Sequence, residues 1–551
     1  MDPNAHAQIP EASKESTKAA VVIIGAGISG LCIAINLLKH NINKFVILEK
    51  SAELGGTWRD NTYPGCSCDG AFETAHGYNY LQRIAEKYDL YRYIRFNSEV
   101  EESRWNDAQS KWRTKVKVTG SEDGEVGEEY SIASDFLVSG VGQLNSPKYP
   151  TIPGIETFKG KMMHSARWNW SYELKGKKIG IIGNGATAAQ IIPEIAQEAS
   201  HLTIFQRTPN WVIPRADMAV WKLFRVIFRY LPPTLWMARA LAMDLREIIH
   251  VVMRAPNSVF AALLRKASLL MMHRALPNRP DMWKKLTPKY PLGCKRVILS
   301  DDYFPTLARE NVSLETGHID SLTEKGAVVD GVEQELDVLI LATGFRTVDF
   351  MHPIKIYGRD GKPLSEIWHA GARALYGVTI RDLPNFAMLY GPNTNLGHNS
   401  IILMIEAQCR YILVLIEAVL RARERGELLA ITPKPGKVEE FNSNLQMALS
   451  STAFASPQCQ SWYKTADGLI INNWSGTVVD YQKLLSKLDW NDFDLEGSKT
   501  QEMQMMSVMK LGRVREESLL GLKGLGITTA SALAIASVLA YKGLHLLPRW
   551  R

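Results

Sequence analysis

Two short glycine turns constrain the fold of this chain more than any other feature. Residues 25–30 read GAGISG and residues 183–188 read GNGATA, and each turn follows a β-branched run and opens a helical stretch. Such a pattern allows a tight turn, lets backbone N–H groups approach a pyrophosphate, and permits close packing of helix on strand. The sequence therefore predicts an α/β fold with two Rossmann-like dinucleotide-binding domains. The small residues of the two patterns are Gly25, Gly27, Gly30, Gly183, Gly185 and Ala188.

The charge at the end of the next strand differs between the two units. Glu49 lies near the end of KFVILEK, 19 residues after Gly30, and a carboxylate there can accept hydrogen bonds from a ribose diol. Arg207 lies in LTIFQRTP, 19 residues after Ala188, and a guanidinium there would pair with a 2′-phosphate. The sequence therefore predicts FAD on the first turn and NADPH on the second. An arginine exposed at a strand end is the alternative interpretation of Arg207.

Composition narrows the partners and the compartment. The chain has 551 residues, enough for several domains, and its net charge of +7 without a dense Lys/Arg run argues against nucleic acid. Six cysteines are too few for a disulfide scaffold, so we expect reduced thiols. Residues 1–18 are polar and lack the apolar core of a secretory signal. These observations predict a cytoplasmic location; they do not indicate the oligomeric state.

The C-terminal segment 524–541 contains no charged residue. As a helix its length would be about 27 Å, close to the ~30 Å hydrocarbon core of a bilayer. Gly526, Thr528, Thr529 and Ser537 dilute its apolar character. The sequence predicts a C-terminal apolar helix here and leaves three interpretations open: a tail anchor in an intracellular membrane, an amphipathic helix on a membrane surface, or a helix docked on the protein.

A second apolar region, between residues 217 and 289, has Trp, Phe, Leu, Met and Arg at helical spacing. We expect a helical insertion in the NADPH domain that forms part of a substrate tunnel, with membrane contact as the weaker alternative. The predicted division of the chain is a disordered lead (1–18), a first FAD segment (19–146), a first NADPH segment (147–215), the helical insertion (216–289), a second NADPH segment (290–334), a second FAD segment (335–488) and a tail (489–551).

Two further stretches carry a family resemblance. The linker reads Phe158-x-Gly160-x-x-x-His164-x-x-x-Trp168, and residues 55–69 read GGTWRDNTYPGCSCD. Together with the two turns and with ATGF at 342–345, they resemble the signatures of Baeyer–Villiger monooxygenases, which belong to the class B flavin monooxygenases. The linker departs at Asn169, where the family usually has Pro or Asp.

The resemblance implies a reaction and assigns roles. Family members use NADPH to reduce FAD, form a C4a-peroxyflavin with O2, and convert a ketone into an ester or lactone. The linker would join two domains that rotate, with Gly160 allowing a turn that His164 holds. The implied catalytic residues are Arg296, its partner carboxylate Asp69, and His164, which acts through conformation. The implied cofactor contacts, besides the two turns, are Glu49, Gly56, Trp58, Asp69, Arg207, Thr208, Lys295 and Trp462.

The resemblance also breaks at one place. Tyr80 follows Asp69 by only 11 positions, where the family's connection is about two dozen residues longer. Three explanations stay open: a lost exon, a wider pocket, or a protein that binds FAD and no longer oxygenates. We expect a bulky apolar ketone as substrate, with sulfur or nitrogen oxidation as the alternative activity.

The remaining polar candidates are weak. Cys66-x-Cys68 lacks a second Cys/His pair at ligand spacing, so no metal site is predicted. His398 lies in GPNTNLGHNS, before a helical stretch, and its function is left unassigned.

Overall fold

The computed structural model describes residues 18–67, 74–120, 128–215, 220–497 and 508–512, with residues 74–76 described by their backbone alone. Two predicted features lie outside these ranges. One is Asp69, and the other is the apolar segment 524–541.

Strands and helices alternate at the two glycine turns, and elsewhere several strands or several helices follow one another. The strands are β1 (Lys18–Ile24), β2 (Phe45–Leu48), β3 (Ile94–Arg95), β4 (Ser98–Asn106), β5 (Lys111–Val118), β6 (Glu129–Ser139), β7 (Lys161–His164), β8 (Lys178–Ile182), β9 (His201–Phe205), β10 (Val212–Ile213), β11 (Ile298–Leu299), β12 (Val312–Glu315), β13 (Ile319–Leu322), β14 (Gly326–Val329), β15 (Val332–Glu335), β16 (Val338–Leu341), β17 (Lys355–Tyr357), β18 (Phe386–Met388), β19 (Leu429–Pro433), β20 (Lys487–Asp489), β21 (Phe493–Gly497) and β22 (Val508–Lys510). The α-helices are α1 (Ile28–Lys39), α2 (Thr57–Asp60), α3 (Thr74–Lys87), α4 (Ala186–Ile195), α5 (Lys222–Tyr230), α6 (Pro232–Arg254), α7 (Val259–Ala275), α8 (Pro280–Leu286), α9 (Tyr303–Leu307), α10 (Leu364–Ile367), α11 (Ile401–Glu424), α12 (Pro435–Ser450) and α13 (Val478–Leu484).

The first sheet carries the first glycine turn. Its strand order is β17-β4-β5-β6-β1-β2-β3, with β18 also beside β6. Strand β1 lies in parallel between β2 and β6, so Ile23 faces Ile47 on one side and Val138 on the other. All three residues are fully buried, because helices α1 and α11 cover this part of the sheet with one apolar core. A strand buried on both sides explains the continuous β-branched run of the sequence.

The second sheet carries the second turn. Its five strands follow the order β12-β9-β8-β16-β7, and all of its pairings are parallel. Helix α4 starts from the turn after β8 and packs Ile191 and Ile192 into a separate core. Strand β16 belongs to this sheet, although its residues fall within the range predicted for the second FAD segment. The chain therefore leaves the second domain after residue 341.

The two passages between the domains run side by side. Lys148 N–H donates to Gly344 O at 2.9 Å, and Arg346 N–H donates to Ser146 O at 2.9 Å. Pro147 and Phe345 form an antiparallel bridge between these bonds. The two sheets are thus joined by a short two-stranded ribbon.

Helices α5, α6, α7 and α8 make up the predicted insertion. Among the described residues, no single helix is both long and apolar enough to cross a bilayer, whereas α6 and α7 pass that test as a pair bent by 98°.

One covalent link was not predicted. Cys294 and Cys459 form a disulfide across 165 residues, and their Cα atoms are 6.0 Å apart. The expectation of reduced thiols is therefore wrong for this pair. No local pattern indicates this pair, because the two cysteines meet only when the segment before β11 packs against the loop after α12.

Candidate active site

The first turn is shaped by backbone crowding. Gly25 has a φ of +97°, which favours glycine. A Cβ on Gly30 would lie 1.9 Å from the carbonyl oxygen of Gly25, so only glycine fits there. Gly27 faces more open space, since its added Cβ would first meet the Cα of Gly56 at 3.7 Å. The open side of Gly27, at the N-terminus of α1, is where a pyrophosphate fits.

Glu49 stands beside this turn as predicted. Its carboxylate is buried and accepts hydrogen bonds from Ala26 N–H at 2.8 Å and from Ser51 N–H at 3.0 Å. Each bond uses a different oxygen, and a carboxylate oxygen has more than one lone-pair site. Glu49 therefore fixes the turn and retains acceptor capacity for the hydroxyl groups of a ribose.

Two neighbouring residues of the family signature frame the same turn. Gly56 has a φ of +53°, and a Cβ added to it would lie 3.2 Å from the Cα of Gly27. Trp58, in α2, packs its ring against Gly77 of α3, where an added Cβ would lie 3.1 Å away. Together they hold the chain after β2 close to the first turn.

The second turn repeats the backbone with one difference. Gly183 has a φ of +110°, and its added Cβ would lie 2.5 Å from Ala342 O. For Gly185, no described atom lies within 4 Å of an added Cβ, so this side of the turn is open to a ligand. Ala188 is buried and carries the Cβ that Gly30 cannot.

Two cations predicted to bind a 2′-phosphate lie near each other at this turn. Lys295 extends over the ring of Tyr290, 4.8 Å from its centroid. Burial lowers the pKa of Lys295, and the nearby Arg207 guanidinium lowers it further. Two like charges held at one site favour an anion between them. Thr208 lies on the same edge, because its carbonyl oxygen accepts from the Asn184 side chain at 3.0 Å.

The signature loop of the first domain docks on helix α4 of the second. Tyr63 OH donates to Gln190 Oε1 at 2.9 Å, and Gln190 Nε2 donates to Ser67 O at 2.9 Å. Gly65 has a φ of +71°, and a Cβ there would lie 2.5 Å from Gln190 O. The loop therefore fits against α4 only with glycine at this position.

Arg296 acts at this junction. Burial raises the pKa of Tyr63, and the Arg296 guanidinium partly opposes that shift. The pKa of Tyr390 responds in the same way, raised by burial and lowered by Arg296. The guanidinium thus faces a tyrosine of the signature loop and one at the end of β18. Arg296 itself is solvent-exposed, which leaves it accessible to bound molecules.

His164 ends strand β7 beside the ribbon that joins the domains. It pairs with Leu341 across the sheet, and its ring centroid lies 6.1 Å from that of Phe345. Nδ1 accepts a hydrogen bond from Ala166 N–H at 3.1 Å, which holds the chain after the strand. Burial lowers the pKa of His164 to about 4, although a backbone bond with Gly344 opposes the shift. The ring is therefore neutral at pH 7.

Gly160 serves a different purpose from the one predicted. Its φ is not in the left-handed region. A Cβ there would instead lie 2.4 Å from the Phe158 ring and 2.6 Å from Asp337 O. Glycine is needed because the linker passes close to β16.

The second half of the linker reaches the signature loop. Trp168 is half-buried against the core of the second domain, and its ring centroid lies 6.2 Å from that of Trp170. Trp170 Nε1 donates to Thr62 Oγ1 at 3.2 Å, and Arg167 lies 3.8 Å from Asp60. The two family stretches, far apart in sequence, are thus in contact.

Trp462 packs against Tyr463, with 4.5 Å between ring centroids. Its carbonyl oxygen accepts from Thr347 Oγ1 at 3.0 Å, just beyond the ribbon. The Cys294–Cys459 disulfide ties the same loop to the segment that carries Lys295 and Arg296.

Sequence reasoning missed some polar residues around these positions. Gln190 and Tyr390 lie outside the sequence motifs, and Tyr63 occurs only within the 55–69 signature. The detectable signal for Gln190 is its place one turn into the helix that follows the second glycine pattern. Nothing in the local sequence marks Tyr390, whose OH donates to Asn395 Oδ1 at 2.6 Å.

Comparison with known proteins identifies the family. The flavin-binding monooxygenase-like family matches residues 70–354, and an NAD(P)-binding Rossmann-like domain matches residues 23–89. The chain belongs to the flavin-binding monooxygenase-like family. The FAD-binding monooxygenase ktnD of Aspergillus niger is 47% identical over 523 residues, covering 91% of this chain and 86% of the relative. A Baeyer–Villiger monooxygenase of Streptomyces coelicolor is 36% identical over 496 residues, covering 86% and 92%.

Solved structures agree with this family assignment. The crystal structure of OTEMO in complex with FAD and NADP matches with a TM-score of 0.73 and 25% identity, covering 87% of this chain and 99% of that one. The predicted class is thereby confirmed: the chain is a class B flavin monooxygenase of the Baeyer–Villiger type, with the predicted α/β fold.

The other polar candidates from the sequence are Asp69, the Cys66-x-Cys68 pair and His398. Asp69, proposed as the partner of Arg296, lies outside the described residues. Within the described ranges, no group of three or more His, Cys, Asp or Glu residues is arranged to hold a metal ion. His398 lies 3.7 Å from Glu247 and beside His250, at the contact between α6 and the loop before α11.

Proposed function

We propose that this enzyme uses NADPH and O2 to convert a bulky apolar ketone into an ester or lactone. The reaction balances as ketone, O2, NADPH and one proton giving ester, NADP⁺ and water. One oxygen atom enters the bond between the carbonyl carbon and its neighbour, and the other leaves as water. The observation that carries the proposal is the position of Arg296, which is exposed between the buried Tyr63 and the half-buried Tyr390, where the signature loop meets α4.

The residues present fit both cofactors. FAD would lie on the first turn, against the open side of Gly27, with Glu49 accepting from its ribose. NADPH would lie on the second turn, against the open side of Gly185, with Arg207 and Lys295 on its 2′-phosphate. The chemistry that FAD supplies when bound is the transfer of two electrons from NADPH to O2. Burial and, after it, repulsion by Arg207 lower the pKa of Lys295, and the negative charge of a 2′-phosphate would oppose both effects.

Arg296 would provide a permanent positive charge. A guanidinium stays ionised at any working pH, and a fixed cation stabilises negative charge that develops on oxygen. Activated oxygen that carries a negative charge is a nucleophile and attacks a carbonyl carbon. In its protonated form it is an electrophile and oxidises sulfur or nitrogen. The proposed role of Arg296 is therefore to favour ketone oxidation. Asp69 is proposed as the carboxylate that orients it.

The insertion would supply an apolar wall. Met253, at the end of α6, is buried between Gly293 and Gly397, where added Cβ atoms would lie 3.2 Å and 2.8 Å from it. It belongs to the apolar cluster that Trp462 borders. The insertion therefore packs on the loop of Trp462 through apolar side chains, and the proposed substrate tunnel would run along this apolar border.

A product analysis tests the proposal. Purified enzyme is given NADPH, O2 and a panel of bulky apolar ketones, and ester, hydrogen peroxide and S- or N-oxides are quantified. We expect ester as the main product. In Arg296→Ala, ester formation should fall by roughly 10²–10³-fold while anaerobic reduction of the flavin by NADPH is retained. Lys289→Ala, at an exposed position of the same segment, is the matched control. Undiminished ester formation in Arg296→Ala would exclude the assignment.

The short connection after Asp69 favours a second candidate, an NADPH oxidase that binds FAD and releases hydrogen peroxide. A site open to water loses activated oxygen before it meets substrate. In that case wild-type protein would consume NADPH and yield hydrogen peroxide alone with every ketone tested.

A further inference from the structure

The outer surface of the helical insertion is apolar and uncovered. None of the nine residues of α5, all of them described, is buried. Trp221 and Tyr230 at its two ends are 72% and 71% exposed. Such large apolar side chains are normally buried, so a continuous set of them indicates an interaction surface. The other exposed apolar residues of α5 are Leu223, Phe224 and Val226.

Helix α6 divides its two faces between protein and solvent. Leu241, Leu245 and Ile248 are spaced four and three residues apart, so they share one face, and all are exposed. The opposite face packs on the protein body. There, Glu247 accepts from Asn399 Nδ2 at 2.5 Å, and His250 is buried beside the loop before α11. Because one face of α6 packs on the protein, only its exposed face can contact another surface. The helix therefore cannot be embedded on all sides.

The same insertion concentrates the positive charge of the chain. Residues 220–275 contain nine Lys or Arg and two Asp or Glu, a net charge of +7, which equals the formal net charge of all 551 residues. The rest of the chain is therefore neutral in sum. The nine cations are Lys222, Arg225, Arg229, Arg239, Arg246, Arg254, Arg265, Lys266 and Arg274.

We propose that α5 and the outer face of α6 dock this enzyme on a membrane surface that contains anionic lipid. Apolar side chains alternating with Lys and Arg are typical of helices that lie in the headgroup region of a bilayer. Each Lys or Arg near such a surface adds to the attraction by anionic headgroups. This inference does not depend on the proposed reaction.

Charge distinguishes this occupant from two others. A second copy of the chain would bring another +7 insertion against the first. The segment 513–551 contains six Lys or Arg and two Glu, so it cannot neutralise the surface either. An anionic bilayer alone offers both negative charge and an apolar layer beneath it. The 98° bend between α6 and α7 also suits helices that lie on a surface rather than cross it.

Vesicle flotation with the purified full-length enzyme tests the docking surface. Vesicles of phosphatidylcholine alone are compared with vesicles of phosphatidylcholine and phosphatidylserine at about four to one. Two double variants are used: Trp221→Ser with Phe224→Ser, and Arg225→Gln with Arg229→Gln. Each is also made with Leu533→Asp, which places a charge inside segment 524–541 and separates its contribution. The matched controls are Val332→Ser for exposed apolar area and Lys175→Gln with Lys487→Gln for charge.

We expect binding to the anionic vesicles that survives Leu533→Asp. In that background the charge variant should weaken binding roughly 30-fold, at about 1 kcal/mol per cation, and the apolar variant at least tenfold. Controls should bind as the parent, and melting temperature and flavin content should be unchanged in all variants. The proposal is overturned if Leu533→Asp alone abolishes binding, if neither vesicle is bound, or if the apolar variant dissociates a dimer instead.

Discussion

The first and second nucleotide turns have the same backbone plan and different surroundings. In the first, a Cβ on Gly30 would collide with the carbonyl oxygen of Gly25 at 1.9 Å, and the acidic residue at its edge is buried. In the second, Ala188 occupies the corresponding place without conflict, and the edge carries the exposed Arg207 and the half-buried Lys295. The helix of the second unit thus lies less tightly against its strand.

This difference bears on which residues would select the cofactor at each turn. Both turns present open backbone at the middle glycine, which suits any pyrophosphate. In the proposed function, discrimination comes from the edge of each sheet, where Glu49 after β2 would repel a 2′-phosphate, and Arg207 after β9, with Lys295 near it, would attract one. The backbone of each turn would bind the pyrophosphate, and the side chains at the edge of each sheet would determine which dinucleotide is bound.

The largest effect is expected from the tighter turn. Gly30→Ala places a methyl group 1.9 Å from a backbone oxygen, so the helix must move and the pyrophosphate site is lost. We expect protein purified without flavin, measured as the ratio of flavin to protein absorbance. The reciprocal change, Ala188→Gly, removes a Cβ and should cost only about 1 kcal/mol of stability, with flavin content unchanged. Equal flavin content in the two variants would contradict the difference in packing.

A smaller effect is expected at the second edge. Arg207→Gln should raise the KM for NADPH by about 10- to 100-fold and leave the KM for NADH nearly unchanged, because only NADPH has the 2′-phosphate. Lys295→Gln should act in the same direction. Steady-state kinetics with both nucleotides give the ratio directly.

Two variants serve as controls for that ratio. Arg309→Gln removes an exposed arginine elsewhere in the same domain and should leave both constants unchanged. Glu49→Gln should weaken flavin retention and leave the NADPH-to-NADH ratio untouched. If Arg207→Gln raised both constants equally, Arg207 would not contact the phosphate.

The sequence was sufficient for features that depend on short segments. A glycine turn, the strand before it and the charge one strand later lie within about 30 residues, the length of a βαβ unit. Both turns, Glu49 and Arg207 could therefore be predicted, whereas Lys295 lies 88 positions after Arg207 and was assigned through the family resemblance. The family stretches added Arg296, His164 and Trp462, whose positions follow from resemblance.

Features that depend on distant packing could not be predicted. The ribbon between residues 146–149 and 343–346 joins segments that meet only after both sheets have formed. The same holds for the Cys294–Cys459 disulfide and for the contact of Tyr63 with Gln190. The reason for Gly160 was also out of reach, because it lies in the carbonyl of Asp337 and not in the local conformation.

The smallest effect is expected at His164, which lies beside the ribbon between the domains and belongs to neither turn. An unfolded histidine takes up a proton near pH 6.5, whereas the pKa of the buried His164 is lowered to about 4. Between these values the unfolded chain binds a proton that the folded chain does not. Stability should therefore fall as the pH drops from about 6.5 towards 4, and no further below that from this group.

His164→Gln should remove part of that pH dependence, because glutamine can still accept from Ala166 N–H and does not titrate. The melting temperature, measured at pH 7 and pH 5, should fall less in the variant than in the wild type. Burial also lowers the pKa of His250 to about 4, so His250→Gln should remove a separate part. If His164 also controls domain rotation, its variant alone should change the ratio of ester to hydrogen peroxide at pH 7. An unchanged ratio with a reduced pH dependence would limit His164 to a structural role.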